Sequence, residues 1–270
     1  MKWYNAPTMF EDLQSPDAAY AVGLLQTDGT HEGSVDGKGR VSVEVAARDH
    51  EVLSRLAQSL GCYSSIGRRT RSTNFGDNYE TATLRFYDQR TRRLLVDAGV
   101  PVGRKARTIS PPTMPFAAPD YVRGLLDGDG SIGFTRKGEP FISMVTASPD
   151  IAQYLCVTIG EVCGVTRTAR PNARDDVFNV MVLNQAATQL ASWAWYDTEV
   201  VGIRRKKSAA VKVAAWTPPA GKEGRYGVVR RAWTAEDDSV VLGQPTARAA
   251  EILGRTLSSV SVRKWRLRQV

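Results

Sequence analysis

Histidine and cysteine are both scarce in this chain of 270 residues, which holds two of the first and three of the second. Cys62, Cys156 and Cys163 form no C-x-x-C pair, and an odd count without metal spacing reads as buried, reduced thiols in a reducing compartment. With His31 and His50 as the only imidazoles, a Cys/His zinc site lacks ligands and a histidine-based nucleophile triad is hard to build. No apolar run approaches the roughly 20 residues that a bilayer span needs. The opening Met1-Lys2-Trp3-Tyr4 lacks the apolar core of a secretory signal, so an intracellular, cytoplasmic protein is expected.

What is present is a globular composition, 42% apolar, sufficient to bury a core. The net charge of +8 is unevenly spread. Residues 201–270 carry 15 Lys/Arg against 5 Asp/Glu, whereas residues 1–200 are slightly acidic. Such a basic end is the electrostatic footprint expected for nucleic acid.

An internal repeat organises most of the chain. Tyr20-Ala-Val-Gly-Leu-Leu-Gln-Thr-Asp-Gly29 is echoed by Tyr121-Val-Arg-Gly-Leu-Leu-Asp-Gly-Asp-Gly130. The offset of 101 from Asp28 to Asp129 recurs from Asp49 to Asp150 and from Lys105 to Lys206. Two copies of one unit of about 100 residues follow. In the first, a helix capped by Asp17 or a neighbour runs to Thr27 and stops at Gly29. A hairpin turns at Gly37-Lys38-Gly39, with Val41, Val43 and Val45 alternating. A helix over 49–60, a hairpin over 62–87 turning near Asn74, and a helix over 89–98 complete it. The second copy repeats the pattern with helices over 120–128, 149–163 and 185–196 and hairpins turning at Lys137-Gly138 and near Pro171–Asp176. The spacing predicts αββαββα twice, an α+β fold. The halves are bounded at 1–110 and 111–216, and prolines 111, 112 and 115 mark the link. A helix to Trp216, a linker over 217–231 and a small all-α unit over 232–270 follow.

Gly23 and Thr27 share one helix face, as do Gly124 and Gly128, and small residues four apart let two helices pack closely. Packing on that face would bring Asp28 and Asp129 together at two helix C-termini. Those ends are already negative and the carboxylates raise each other's pKa, so a hard divalent cation is called for. Oxygen-only ligation indicates Mg²⁺, or Mn²⁺ in its place. Carboxylate-held metals that activate water suit phosphodiester hydrolysis.

The two nine-residue segments that begin at Ala21 and Val122 resemble the signature of the LAGLIDADG homing endonucleases. The second is close; the first has Gln26 where the family often has Asp. The resemblance spans about residues 15–215 and implies a monomeric single-chain enzyme that cuts both strands of a long DNA duplex, leaving short 3′ overhangs. It implies that Asp28 and Asp129 bind the metals with help from the Thr27 and Gly128 carbonyls, and that Lys105 and Lys206 stabilise charge near the scissile phosphates. It also implies saddle-shaped sheets over the major groove. The reader candidates are Lys38, Arg40, Arg68, Arg69, Arg71 and Arg85 in the first half. In the second they are Arg136, Lys137, Arg167, Arg170 and Arg174. His31, three residues after Asp28, reads as a polar strand residue rather than a base.

Trp233-Thr-x-x-Glu-Asp with Ala249-Ala-x-x-Leu-Gly-Arg-Thr-x-x-Ser-Val is similar to a Myb/SANT-type helix-turn-helix module. Thr234 and Thr256 cap helices, and Val260, Trp265 and Leu267 are expected in its core. Arg255, Ser259, Arg263, Lys264 and Arg266 are the DNA candidates, extending the footprint of the first module. A non-cleaving DNA-binding regulator and an intron RNA maturase are the alternatives. An intein is not expected, because the Cys or Ser start and His-Asn finish that splicing needs are absent.

Overall fold

The computed structural model describes residues 7–73, 76–220 and 233–268. Most of the expected linker over 217–231, the turn at Asn74 and the Arg71 side chain lie outside the described residues. The chain divides into two compact units, residues 1–226 and 227–270.

The first unit opens with α1 (Pro16–Asp28), β1 (Gly29–Gly33), β2 (Gly39–Ala46), α2 (Glu51–Ser59), β3 (Ser64–Thr73), β4 (Gly76–Phe86) and α3 (Gln89–Asp97). It continues with α4 (Ala118–Asp129), β5 (Gly130–Phe134), β6 (Pro140–Thr146), α5 (Pro149–Cys163), β7 (Phe178–Leu183), α6 (Asn184–Ala194) and α7 (Arg204–Ala214). Pro16 presets the first turn of α1 and Asp17 meets its positive end. Every residue from Ala18 to Gln26 is buried, as befits a central helix that is apolar all round. In β2 the three alternating valines face the core. Asp88 caps α3 by accepting from the Thr91 amide at 2.8 Å, and Ser148 caps α5 by accepting from the Ile151 amide at 3.1 Å.

Both sheets are antiparallel, ordered β1-β2-β4-β3 and β5-β6-β7. The fold is α+β with two related halves, but the second lacks the strand expected before β7. Pro171 has no amide to donate, and the segment from 165 to 177 pairs with β7 only through a bridge from Pro171 to Phe178. Arg167 Nε donates to the Met181 carbonyl at 3.0 Å, so a side chain takes an acceptor that a paired strand would use. Among the described residues, no helix is long and apolar enough to cross a membrane.

The second unit holds α8 (Ala235–Gly243), α9 (Thr246–Leu253) and α10 (Leu257–Leu267). Thr234 and Asp237 form a reciprocal capping box, and Gly254 ends α9 in the left-handed conformation. Val241, Ala249, Ala250, Leu253 and Val260 make a small core, with Trp233, Val240 and Leu267 against it. Trp265, expected inside, is 63% exposed. Five residues beyond Val260 it lies about 140° round the helix, whereas Leu267 at seven returns to the core face.

A candidate nucleic-acid interface and its paired carboxylates

The helices α1 and α4 pack through glycine. A Cβ on Gly23 would strike the Tyr121 carbonyl and the Leu125 amide, and one on Gly124 would strike the Tyr20 carbonyl and the Leu24 amide. The two backbones therefore touch at equivalent points of the repeat. Further along, Gly128 lies against the Thr27 side chain. Gly29 and Gly130 are extended rather than left-handed. They are glycines because a Cβ would strike the carbonyls of Leu25 and Leu126 as the chain leaves each helix for its sheet.

Asp28 and Asp129 end these helices and are both exposed. Although the residues reach solvent, partial desolvation of the carboxyl where the helix ends pack, and then the field of Asp129, push Asp28 up to about 6. Burial raises Asp129 as well, against the pull of Lys105 and Lys206. A cleft of about 220 Å³ joins Asp28 and Gly128 to Glu44, Ala46, Tyr79 and Thr81. Those four residues sit on the outward face of the first sheet, since their register partners alternate with the buried valines of β2. Among the described residues, no cluster of three His, Cys, Asp or Glu could hold a metal ion. A cation here would rest on the two carboxylates and complete its shell with water or phosphate oxygen. The all-oxygen donor set, with two carboxyls whose charged form is disfavoured mainly by desolvation, fits a hard divalent ion.

The two lysines of the repeat lie at the ends of the motif helices. Lys206, 7% exposed, donates from Nζ to the carbonyls of Leu126 at 2.8 Å, Asp127 at 2.6 Å, Gly128 at 3.2 Å and Gly130 at 2.8 Å. Lys105 donates to the Gln26 carbonyl and, at 2.9 Å, to that of Thr27. Each ammonium thus caps the C-terminus of a motif helix, where unpaired carbonyls concentrate negative charge. Burial lowers both lysine pKa values while the aspartates raise them. The Thr27 and Gly128 carbonyls, expected as metal ligands, already accept lysine protons.

The sixth motif positions have a role that the sequence reading passed over. Tyr20 donates across the helix pair to Asp127 at 2.8 Å, and Tyr121 donates across it to Gln26 at 2.6 Å. Asp127 also accepts from the Ile203 amide, just before α7, at 2.7 Å. Gln26 donates to the Gly99 and Ser110 carbonyls, on either side of Lys105. Each position therefore ties its helix end to the segment that carries its own lysine. A signal was available: both tyrosines and both sixth positions share the offset of 101.

His31 is fully buried on the core face of β1, its Nδ1 3.1 Å from the Val100 carbonyl, and does not reach the cleft. Arg40, Arg69 and Arg85 share the outward face of the first sheet. Arg40 pairs with Glu32 at 2.5 Å and Arg69 with Glu44 at 3.5 Å. Arg68 points to the opposite face, and Lys38 lies in the β1–β2 turn. None of the five candidates of the second half lies on a strand. Arg136 and Lys137 lie in the β5–β6 turn, and Arg167, Arg170 and Arg174 lie in the irregular segment before β7.

In the second unit two of the DNA candidates, Arg255 and Arg263, have partners within the unit. Arg255 stacks 3.9 Å from the Trp233 ring centre and pairs with Asp237 at 2.9 Å. Arg263 grips Asp238 with two bonds of 2.7 and 2.6 Å. Lys264 donates to the Gln244 carbonyl, and the Ser259 amide closes the Thr256 cap. Arg266 remains exposed.

No family model and no curated protein matches this sequence. Solved structures that resemble it include I-SmaMI bound to uncleaved DNA target in the presence of calcium ions (13% identity, TM-score 0.48, covering 74% of this chain and 90% of that one). Another is the LAGLIDADG homing endonuclease I-GzeII in complex with DNA target (8%, 0.49, 74% and 88%). A third is full-length DUF199/WhiA from Thermatoga maritima (9%, 0.43, 98% and 93%).

Proposed function

We propose that the chain is a LAGLIDADG-type endonuclease that binds duplex DNA and hydrolyses both strands with divalent metal held by Asp28 and Asp129. The observation that carries this is the crossing of α1 and α4 at Gly23 and Gly124, which delivers two mutually repelling carboxylates to paired helix ends. Mg²⁺ is the expected ion, with Mn²⁺ as substitute. When bound, it would polarise a phosphate oxygen and supply an activated water. Lys105 and Lys206 hold the helix ends in register, so that the carboxylates stay together. Their charge also offsets part of the aspartates' repulsion. The outward sheet faces take the duplex, and the basic turns contact phosphates. The second unit, as a helix-turn-helix module with Arg266 exposed, lengthens the footprint.

Incubating the full chain with a library of long duplexes, once in Mg²⁺ and once in Ca²⁺, tests this. Site-specific double-strand cuts in Mg²⁺ support the nuclease. A second reading, a DNA-binding protein without cleavage, is favoured by the lysine bonds on the Thr27 and Gly128 carbonyls, which compete with metal ligation. Selective binding with no cut in Mg²⁺ would establish it instead.

A further inference from the structure

The two sheets offer different chemistry at equivalent positions. On the outward face, Arg40 of β2 corresponds to Phe141 of β6, and Glu44 to Val145, both at the offset of 101. Glu32 of β1 corresponds to Gly133 of β5. Through the shared register with Ser42 and Ser143, Arg85 of β4 corresponds to Met181 of β7. Four charged positions thus become uncharged, and β5, β6 and β7 contain no Asp, Glu, Lys or Arg at all. The outward rows are Ser131, Ser143 and Met181, then Gly133, Phe141 and Leu183, then Val145 and Asn179. Val145 is 46% and Met181 42% exposed.

This uncharged floor, whose large side chains are the apolar Phe141, Met181, Leu183 and Val145 with Ser131, Ser143 and Asn179 among them, is margined by Arg136, Lys137, Arg167, Arg170 and Arg174, all exposed. Of these, Arg174 is paired with Asp175. A basic margin round an uncharged floor complements a major groove, where phosphates flank the base edges. In that groove the one apolar feature that distinguishes a base pair is the thymine C5-methyl group.

We propose that the second sheet reads its half of the target through thymine methyl groups, while the first sheet reads the other half through Arg40, Arg69, Arg85 and Glu44. The target is then chemically lopsided, with its A·T-rich half under β5–β7. This rests on the assignment of the outward faces to duplex DNA.

The test uses the full chain in Ca²⁺ to select duplexes from a random library. A parallel selection with Met181→Arg, a surface change that leaves the core intact, identifies the half under the second sheet as the half whose sequence changes. Deoxyuridine then replaces thymine in one half at a time, which removes the methyl and keeps the pairing. About tenfold weaker binding is expected with the second half substituted, on the order of two lost methyl contacts. Less than twofold is expected with the first. Indifference to deoxyuridine in both halves, or a G·C-rich second half, overturns thymine reading while DNA binding stands. A selection that enriches no duplex overturns the DNA assignment itself. Concentration-dependent dimerisation abolished by Met181→Arg would give the face to a second copy of the chain and also overturn the proposal.

Discussion

Replacing Lys206 with Met separates the helix-capping role of this lysine from direct action on phosphate. In the folded chain its ammonium meets four carbonyls and is nearly shut from water. Methionine keeps much of the apolar stem but leaves those acceptors without their donor. Hydrogen bonds to a charged group contribute about 1.5–3 kcal/mol net, and removing one partner of a buried charged contact costs about 3–5 kcal/mol. Some carbonyls will recover water, so a loss of about 3 kcal/mol is expected. Lys105 is half-buried and serves two carbonyls, so Lys105→Met should cost about 1–1.5 kcal/mol. In a unit of this size those losses lower the melting temperature by roughly 9 °C and 4 °C. Urea unfolding of the first unit without metal or DNA reads both. If each variant stays within about 0.5 kcal/mol of the parent while cleavage falls, the lysines act on the phosphates and the capping account is refuted.

Gly124→Ala inserts a methyl into the helix crossing. Its overpacking outweighs a helix-propensity gain of about 1 kcal/mol, and denaturation should show a net loss of about 2 kcal/mol or more. Asp127 is buried, and burial holds its carboxyl up at about 6 against 3.8 unfolded. The stability it contributes is therefore complete below the unfolded value and lost as pH rises through 6. Relative to Asp127→Asn, the parent should lose about 3 kcal/mol between pH 3.5 and 7, and a difference independent of pH would contradict that. Arg255→Ala removes the Trp233 stack, a contact on the order of 2 kcal/mol when shielded. Because a unit of this size has little stability to spare, proteolysis within residues 233–268 should accelerate sharply while the first unit resists.

The repeat made the two halves and the positions of Asp28 and Asp129 legible, because identical motifs demand equivalent places and small residues permit close helices. The missing strand was hidden. The offset of 101 holds through β6, but it has shrunk by β7, where Met181 answers Arg85. Loss of pairing there depends on Pro171 and on an Arg167 side chain reaching Met181. The lysine caps were invisible for a similar reason, since about 80 residues separate each ammonium from its carbonyls. Nor could charge counting distinguish Arg255 and Arg263, spent on Trp233 and Asp238, from the exposed Arg266.

The proposed metal-dependent cutting site needs Asp28 and Asp129 together. It is tested by cleavage of the selected duplex in Mg²⁺ by Asp28→Asn and Asp129→Asn, made separately, with binding measured in Ca²⁺. The expected result is binding close to that of the parent and no double-strand product from either variant. Full double-strand cleavage by either one would contradict the claim.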